Sequence, residues 1–164
     1  MNQKNSLGLD LCFKDENNPI SLFKEWFEEA KKYEINDPNA FALSTFDENA
    51  YPSVRIVLLK EFNEAGFVFY SNLNSDKSKS IKHNPNIAMC FHWKSLLRQI
   101  RITGTAFQIS DKEADEYFKT RSYESKVGAW ASDQSSILNK RQDLYDSIKK
   151  YENKFKDSKD VPRP

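Results

Sequence analysis

The sequence predicts an α+β protein, mainly β, whose strands form an antiparallel barrel, closed or nearly so, with flanking helices. Three observations carry this reading. Between residues 40 and 109, five segments have the residue types and alternation of strands. Three of the gaps between them are far too short for a parallel crossover, so their neighbours must be antiparallel. On either side of this region the apolar spacing changes to that of helices.

Each element has its own signal. Residues 1–17 are polar and turn-rich and read as a flexible arm. Asn18 then offers a helix cap, with Pro19 at the first helical position, where a missing N–H costs nothing. Phe23, Trp26, Phe27, Ala30 and Tyr33 follow as one apolar stripe, read as packing and not as a cofactor box. The strands are expected at 40–46, 51–60, 66–71, 87–93 and 97–109, with turns at 47–50, 63–66 and 94–96. A short helix at 75–83, ended by Asn84 and Pro85, fills the one longer gap. Ser110 and Glu113 form a capping box for the next helix, and another from about Asn139 carries Leu144, Ile148, Tyr151 and Phe155 on one face. The folded domain is expected to span 18–156. Residues 157–164 read as a tail that looks like an incomplete C-terminus, either disordered or continuing further.

Composition narrows the function classes. The chain of 164 residues carries 30% charged residues that nearly cancel to +1, which speaks against nucleic acid or a membrane surface as partner. Two distant cysteines form neither a zinc spacing nor a C-x-x-C pair, and a reduced, cytoplasmic protein is the economical reading. No apolar run approaches the roughly 18 residues of a membrane span. Neither a dinucleotide fingerprint nor a P-loop is present, no nucleophile stands out, and His83 and His92 lack ligand-spaced partners, so no metal is expected.

What remains is cations among strands and helix starts. The run Ser53 to Lys60, S-V-R-I-V-L-L-K, is strongly β-prone, yet alternation gives each of its faces one cation, Arg55 or Lys60. Two readings are open: the cations snorkel or pair locally, or one strand reaches two anion sites. Lys77, Arg98, Arg101, Arg121 and Lys126 are similarly interleaved with Tyr70, Ser71, Ser75, Tyr117, Ser125, Ser135 and Ser136, a pattern that suits a phosphorylated ligand as well as a solvated surface. Tyr117, Arg121 and Ser125 are spaced i, i+4, i+8, so an unbroken helix would line up a phenol, a guanidinium and a hydroxyl; chance spacing is the alternative.

Several motifs together resemble the FMN-dependent pyridoxamine (pyridoxine) 5′-phosphate oxidases: P-I-S-L-F-K-E-W at 19–26, R-I-V-L-L-K at 55–60, F-Y-S-N-L at 69–73, R-Q-I-R at 98–101, Y-F-K-T-R-S at 117–122 and S-K-V-G-A-W-A-S-D-Q-S-S at 125–136. The resemblance implies an FMN-binding split β-barrel working as a homodimer with FMN at the subunit interface. It implies oxidation of pyridoxamine or pyridoxine 5′-phosphate to pyridoxal 5′-phosphate, with dioxygen reduced to hydrogen peroxide. Carried over by motif, Arg55, Ile56, Val57, Leu58, Lys60, Tyr70, Ser71, Lys77, Gln99, Gln134 and Ser135 are expected to bind FMN. Lys60, Tyr117, Arg121 and Ser125 are expected to hold the substrate phosphate. No residue is assigned a catalytic role, because the flavin carries the hydride.

Three departures from the family pattern stand out. Asp76 occupies the place of an arginine beside Lys77, the arm before Asn18 lacks Arg and Tyr, and the chain ends where the family continues into a Trp-containing strand and an Arg-Leu-His-Asp-Arg motif. The rival readings are a split-barrel flavoprotein with another reductase or storage role, and a nucleic-acid-binding barrel, which the charge balance disfavours.

Overall fold

Asn18 opens the first helix as its local chemistry dictates: its Oδ1 accepts from the backbone N–H groups of Ile20 and Ser21 at 2.8 and 3.3 Å, and Pro19 takes the first helical position. The computed structural model describes residues 16–158 and 160–164, so the expected arm lies outside the described residues except for its last two. In chain order the elements are α1 (Pro19–Tyr33), β1 (Ala40–Phe46), β2 (Pro52–Asn63), β3 (Gly66–Phe69), α2 (Asp76–His83), β4 (Asn86–Trp93), a 3₁₀ turn (Lys94–Leu96), β5 (Arg98–Thr105), α3 (Asp111–Lys119), α4 (Tyr123–Ala131) and α5 (Arg141–Phe155).

The described chain divides into two compact units. The first holds α1 and the sheet, including Val54–Phe69 and Ala88–Gly104; the second comprises Thr45–Ser53, Tyr70–Ile87 and Thr105–Pro164.

In the first unit the strand order is β3-β2-β1-β4-β5. β1 and β4 are antiparallel with Leu43 opposite Met89, which places Phe41 and Leu43 on the same buried face as Met89, Phe91 and Trp93. Phe23 of α1 enters that face. Its ring meets Phe62, Phe67 and Phe91 edge-on at 4.8, 4.9 and 5.2 Å and lies beside Phe27 and Trp93. Trp26 is half-buried under the Arg98 guanidinium, which pairs with Glu29, whereas Tyr33, expected to belong to the apolar stripe, sits in the last turn of α1 and is exposed.

β2 runs three residues beyond its expected end and contains a bulge. Leu59 lies opposite Phe69 and Glu61 opposite Val68, so Lys60 is the extra residue. Before it, Arg55, Val57 and Leu59 are the more covered positions; beyond it, Phe62 takes the core side against Phe23 and Phe27. Strict alternation therefore holds from Val54 to Leu59 and changes phase at Lys60. β3 and β5 are shorter than expected, leaving Tyr70, Ser71 and residues 106–109 outside the strands.

In the second unit, Ser110 Oγ accepts from the Glu113 amide at 3.2 Å, and Glu113 Oε2 accepts from the Ser110 amide at 3.1 Å. The Ser110 hydroxyl, and then its backbone N–H, hold the Glu113 carboxyl below the usual carboxylate range. α4 packs along α5, with the Trp130 ring 5.6 Å from both Tyr151 and Phe155. Residues 160–164 lie against these helices: Val161 is buried, Trp130 Nε1 donates to the Pro162 carbonyl at 2.8 Å, and Arg163 bridges Asp115 and Asp111 at 2.6 and 2.8 Å. Those two hydrogen bonds, Asp115 first, raise the Arg163 pKa further.

Candidate functional site

The start of α2 builds a cationic centre. Ser75 is the N-cap residue, yet its hydroxyl does not cap the first-turn amides; it donates to the Asn72 carbonyl at 2.7 Å and accepts from Lys77 Nζ at 3.0 Å. Lys77 is only 9% exposed. Its ammonium also donates to Ser71 Oγ at 3.0 Å and to Gln134 Oε1 at 2.9 Å, and Ser71 Oγ donates to the same Gln134 oxygen at 3.3 Å. A buried ammonium is costly to desolvate, and these oxygen dipoles offset part of that cost. The result is a cation held by two hydroxyl oxygens and an amide oxygen beside a helix N-terminus, a setting whose charge suits a phosphate. Ser75, which the sequence offers only as one of many interleaved hydroxyls, belongs to this centre. Its signal was an N-cap serine two residues before a lysine that the helix buries.

Asp76 does not share that burial. Its carboxylate is exposed and lies 3.8 Å from the Lys79 ammonium, one turn along the helix.

The expected row of Tyr117, Arg121 and Ser125 is not one helical face. α3 ends at Lys119, and Thr120 donates its amide and its Oγ1 to the Tyr117 carbonyl at 3.0 and 2.7 Å. Ser122 is extended and caps α4 through Ser125, so Tyr117 lies in α3, Arg121 in the link and Ser125 in α4. A good N-cap residue outcompetes helix continuation here. Tyr117 stacks on Tyr70, with ring centroids 3.6 Å apart and planes 6° apart. Arg121 is half-buried over the Phe118 ring, and Ser125 Oγ accepts from Ser122 Oγ at 3.1 Å.

The remaining expected site residues belong to the first unit, except Ser135, which follows Gln134 with φ +67°. Arg55 is half-buried and donates from Nη1 to the Leu43 carbonyl at 3.1 Å. Val57 shares its side of β2, while Val54, Ile56 and Leu58 on the other side are 64%, 66% and 37% exposed, an apolar row on the surface. Lys60, at the bulge, is exposed and borders a cavity of about 630 Å³ with Phe27, Lys31, Leu59 and Phe62. Gln99 is exposed on β5. Arg98, read from sequence among the interleaved cations, is instead engaged by Glu29 and Trp26.

Against protein families, residues 27–155 match the pyridoxamine 5′-phosphate oxidase family model. The chain belongs to the pyridoxamine 5′-phosphate oxidase family. It is 59% identical to a pyridoxine/pyridoxamine 5′-phosphate oxidase of Pelagibacter ubique over 164 residues, covering all of this chain and 79% of that protein. It is also 49% identical to one from Allorhizobium ampelinum over 152 residues, 93% of this chain and 73% of that one. Among solved structures it is similar to PhzG from Burkholderia lata in complex with tetrahydrophenazine-1-carboxylic acid, with a TM-score of 0.84 at 24% identity over 92% of this chain and 73% of that one. A pyridoxamine 5′-phosphate oxidase-related, FMN-binding protein from Nostoc punctiforme follows with a TM-score of 0.62 at 14% identity, covering 79% and 72% of the two chains. These likenesses establish the fold of the family, the antiparallel split barrel expected from the sequence. Among the described residues no cluster of His, Cys, Asp or Glu is placed to hold a metal ion, and no helix is long and apolar enough to cross a membrane.

Proposed function

We propose that this protein oxidises pyridoxamine 5′-phosphate and pyridoxine 5′-phosphate to pyridoxal 5′-phosphate with FMN and dioxygen, releasing hydrogen peroxide and, when the substrate is the amine, taking up water and releasing ammonia. The observation that carries the reading is the 59% identity, along the whole of this chain, to a pyridoxine/pyridoxamine 5′-phosphate oxidase. The chemistry of the Lys77 centre supports FMN as the cofactor, because an ammonium and two hydroxyls at a helix start suit the phosphate of a mononucleotide. In this reading Lys77, Ser71 and Arg55 hold that phosphate, and Gln134 orients the ammonium. Ile56, Val57, Leu58, Tyr70, Gln99 and Ser135 line the flavin. Lys60, Tyr117, Arg121 and Ser125 hold the substrate phosphate, with Lys60 also reaching the cofactor. The chemistry that FMN supplies when bound is acceptance of a hydride from the substrate C4′ carbon and return of the electrons to dioxygen. The chain's own share is to anchor two phosphates so that the reacting faces meet.

A homodimer belongs to the same proposal. The surface row Val54, Ile56 and Leu58 is the kind of apolar strand face that a second copy covers. The free thiol of Cys90 suits a reducing cytoplasm.

Purified protein should be yellow, with a flavin absorbance spectrum, and should release peroxide when given pyridoxamine 5′-phosphate in air. Bound flavin without peroxide would favour a split-barrel flavoprotein with another role, and failure to bind FMN would remove both. A pair of variants separates the two phosphate sites. Arg55→Ala is expected to weaken FMN binding about tenfold or more, while Arg121→Ala raises the KM for pyridoxamine 5′-phosphate by a similar factor with flavin retained. Equal loss of flavin in both would refute the division.

A further inference from the structure

We propose that Tyr117 is a positioning residue for the cofactor as well as a substrate ligand: its ring holds Tyr70 in place and thereby fixes Ser71 against Lys77. The inference rests on the function proposed above, which puts Tyr117 on the substrate side and Tyr70, Ser71 and Lys77 on the cofactor side. What the stack adds is a direct mechanical link between them.

The two partners stand on different elements. Tyr117 sits in the last turn of α3, where Thr120 closes on its carbonyl twice and the next residue, Phe118, is buried. The same helix is fixed at its start by the Ser110–Glu113 capping box and clamped by Arg163 through Asp111 and Asp115. Tyr70, by contrast, is the first residue beyond β3, on the connection that leads to α2. Its ring lies flat on that of Tyr117, centroids 3.6 Å apart, and both rings are half-buried. Face-to-face rings are not the arrangement that their quadrupoles prefer. The backbones that carry them set the contact, and buried area sustains it.

One residue further along, Ser71 Oγ accepts from Lys77 Nζ and donates to Gln134. The path from substrate phosphate to cofactor phosphate is therefore short: Tyr117 ring, Tyr70 ring, one peptide link, Ser71 hydroxyl, Lys77 ammonium. A ligand that orders Tyr117 orders Ser71, and by linkage a cofactor that orders Ser71 favours the Tyr117 pose that receives substrate.

The test separates the phenol's hydroxyl from its ring. FMN affinity is measured by flavin fluorescence quenching on the purified protein, which needs no turnover. Tyr117→Phe keeps the ring and should bind FMN within about twofold of wild type, whereas Tyr117→Leu loses the stack and should bind it about three- to tenfold more weakly. In the reverse direction, Tyr70→Leu should raise the KM for pyridoxamine 5′-phosphate at saturating FMN, and Tyr70→Phe should restore it. Wild-type affinity for FMN in Tyr117→Leu would overturn the inference while leaving the oxidase reading intact. Failure of the wild-type protein to bind FMN would overturn both. Should Tyr117→Leu fail to fold, as judged by thermal unfolding, an unchanged KM in Tyr70→Leu decides against the inference.

Discussion

Replacing Phe23 with alanine is expected to cost about 3–5 kcal/mol of folding stability, the usual range for a fully buried phenylalanine. Phe23 is 4% exposed, and its ring touches five other aromatic rings, so the cavity would open where α1 meets the sheet and its neighbours could not collapse into it without abandoning their own contacts. A domain of this size is stable by only about 5–15 kcal/mol, so the loss is a large fraction of the whole. Urea unfolding followed by tryptophan fluorescence measures it. Phe23→Leu, which keeps most of the volume, should cost distinctly less, and a loss below about 1 kcal/mol for Phe23→Ala would mean that the aromatic cluster does not hold α1 on the sheet.

Lys77→Met is expected to weaken FMN binding by about ten- to a hundredfold while leaving the protein folded. The first part follows from the charge-assisted hydrogen bonds that an ammonium gives a phosphate, each worth about 1.5–3 kcal/mol. The second follows from burial: methionine fills a similar volume and removes a cation that is expensive to desolvate, although Ser71, Ser75 and Gln134 lose a donor. Flavin fluorescence titration beside a thermal melt separates the two effects. Lys77→Arg is not expected to restore affinity, because a planar fork does not fit among three oxygens arranged around a compact ammonium. Unchanged FMN affinity in Lys77→Met would remove Lys77 from the site.

The features that could be read from the sequence were those whose chemistry is local. Asn18 with Pro19, and Ser110 with Glu113, specify helix starts through groups within three residues, and both occur as expected. That β2 neighbours β1 and β3, and β4 neighbours β5, followed from short connections, which leave antiparallel pairing as the only option; the pairing of β1 with β4 did not. Ser122 defeated the helical spacing of Tyr117, Arg121 and Ser125, although it too was a local signal: a serine whose hydroxyl accepts from the amide three residues on competes with helix continuation. Other features were out of reach. Nothing near Lys77 in the chain announces Gln134, which lies 57 residues away, and the resemblance alone brought it into consideration. The seat of Arg163 on Asp111 and Asp115, about fifty residues earlier, is equally non-local. Tyr70 and Tyr117 were each expected at a site, but that one ring rests on the other is a property of three-dimensional packing.

The extra residue at Lys60 divides β2 into two stretches that are out of step. Inward positions are odd-numbered up to Leu59 and even-numbered from Phe62, so a substitution rule learned on one stretch inverts on the other. Excising Lys60 would remove the bulge and merge the two stretches into one alternation, with Phe62 still on the core side two residues after Leu59, whereas excising Glu61 as well would turn Phe62 outward and present Asn63 in its place. The extra residue therefore seats an exposed cation in the strand without taking either Leu59 or Phe62 off the core side.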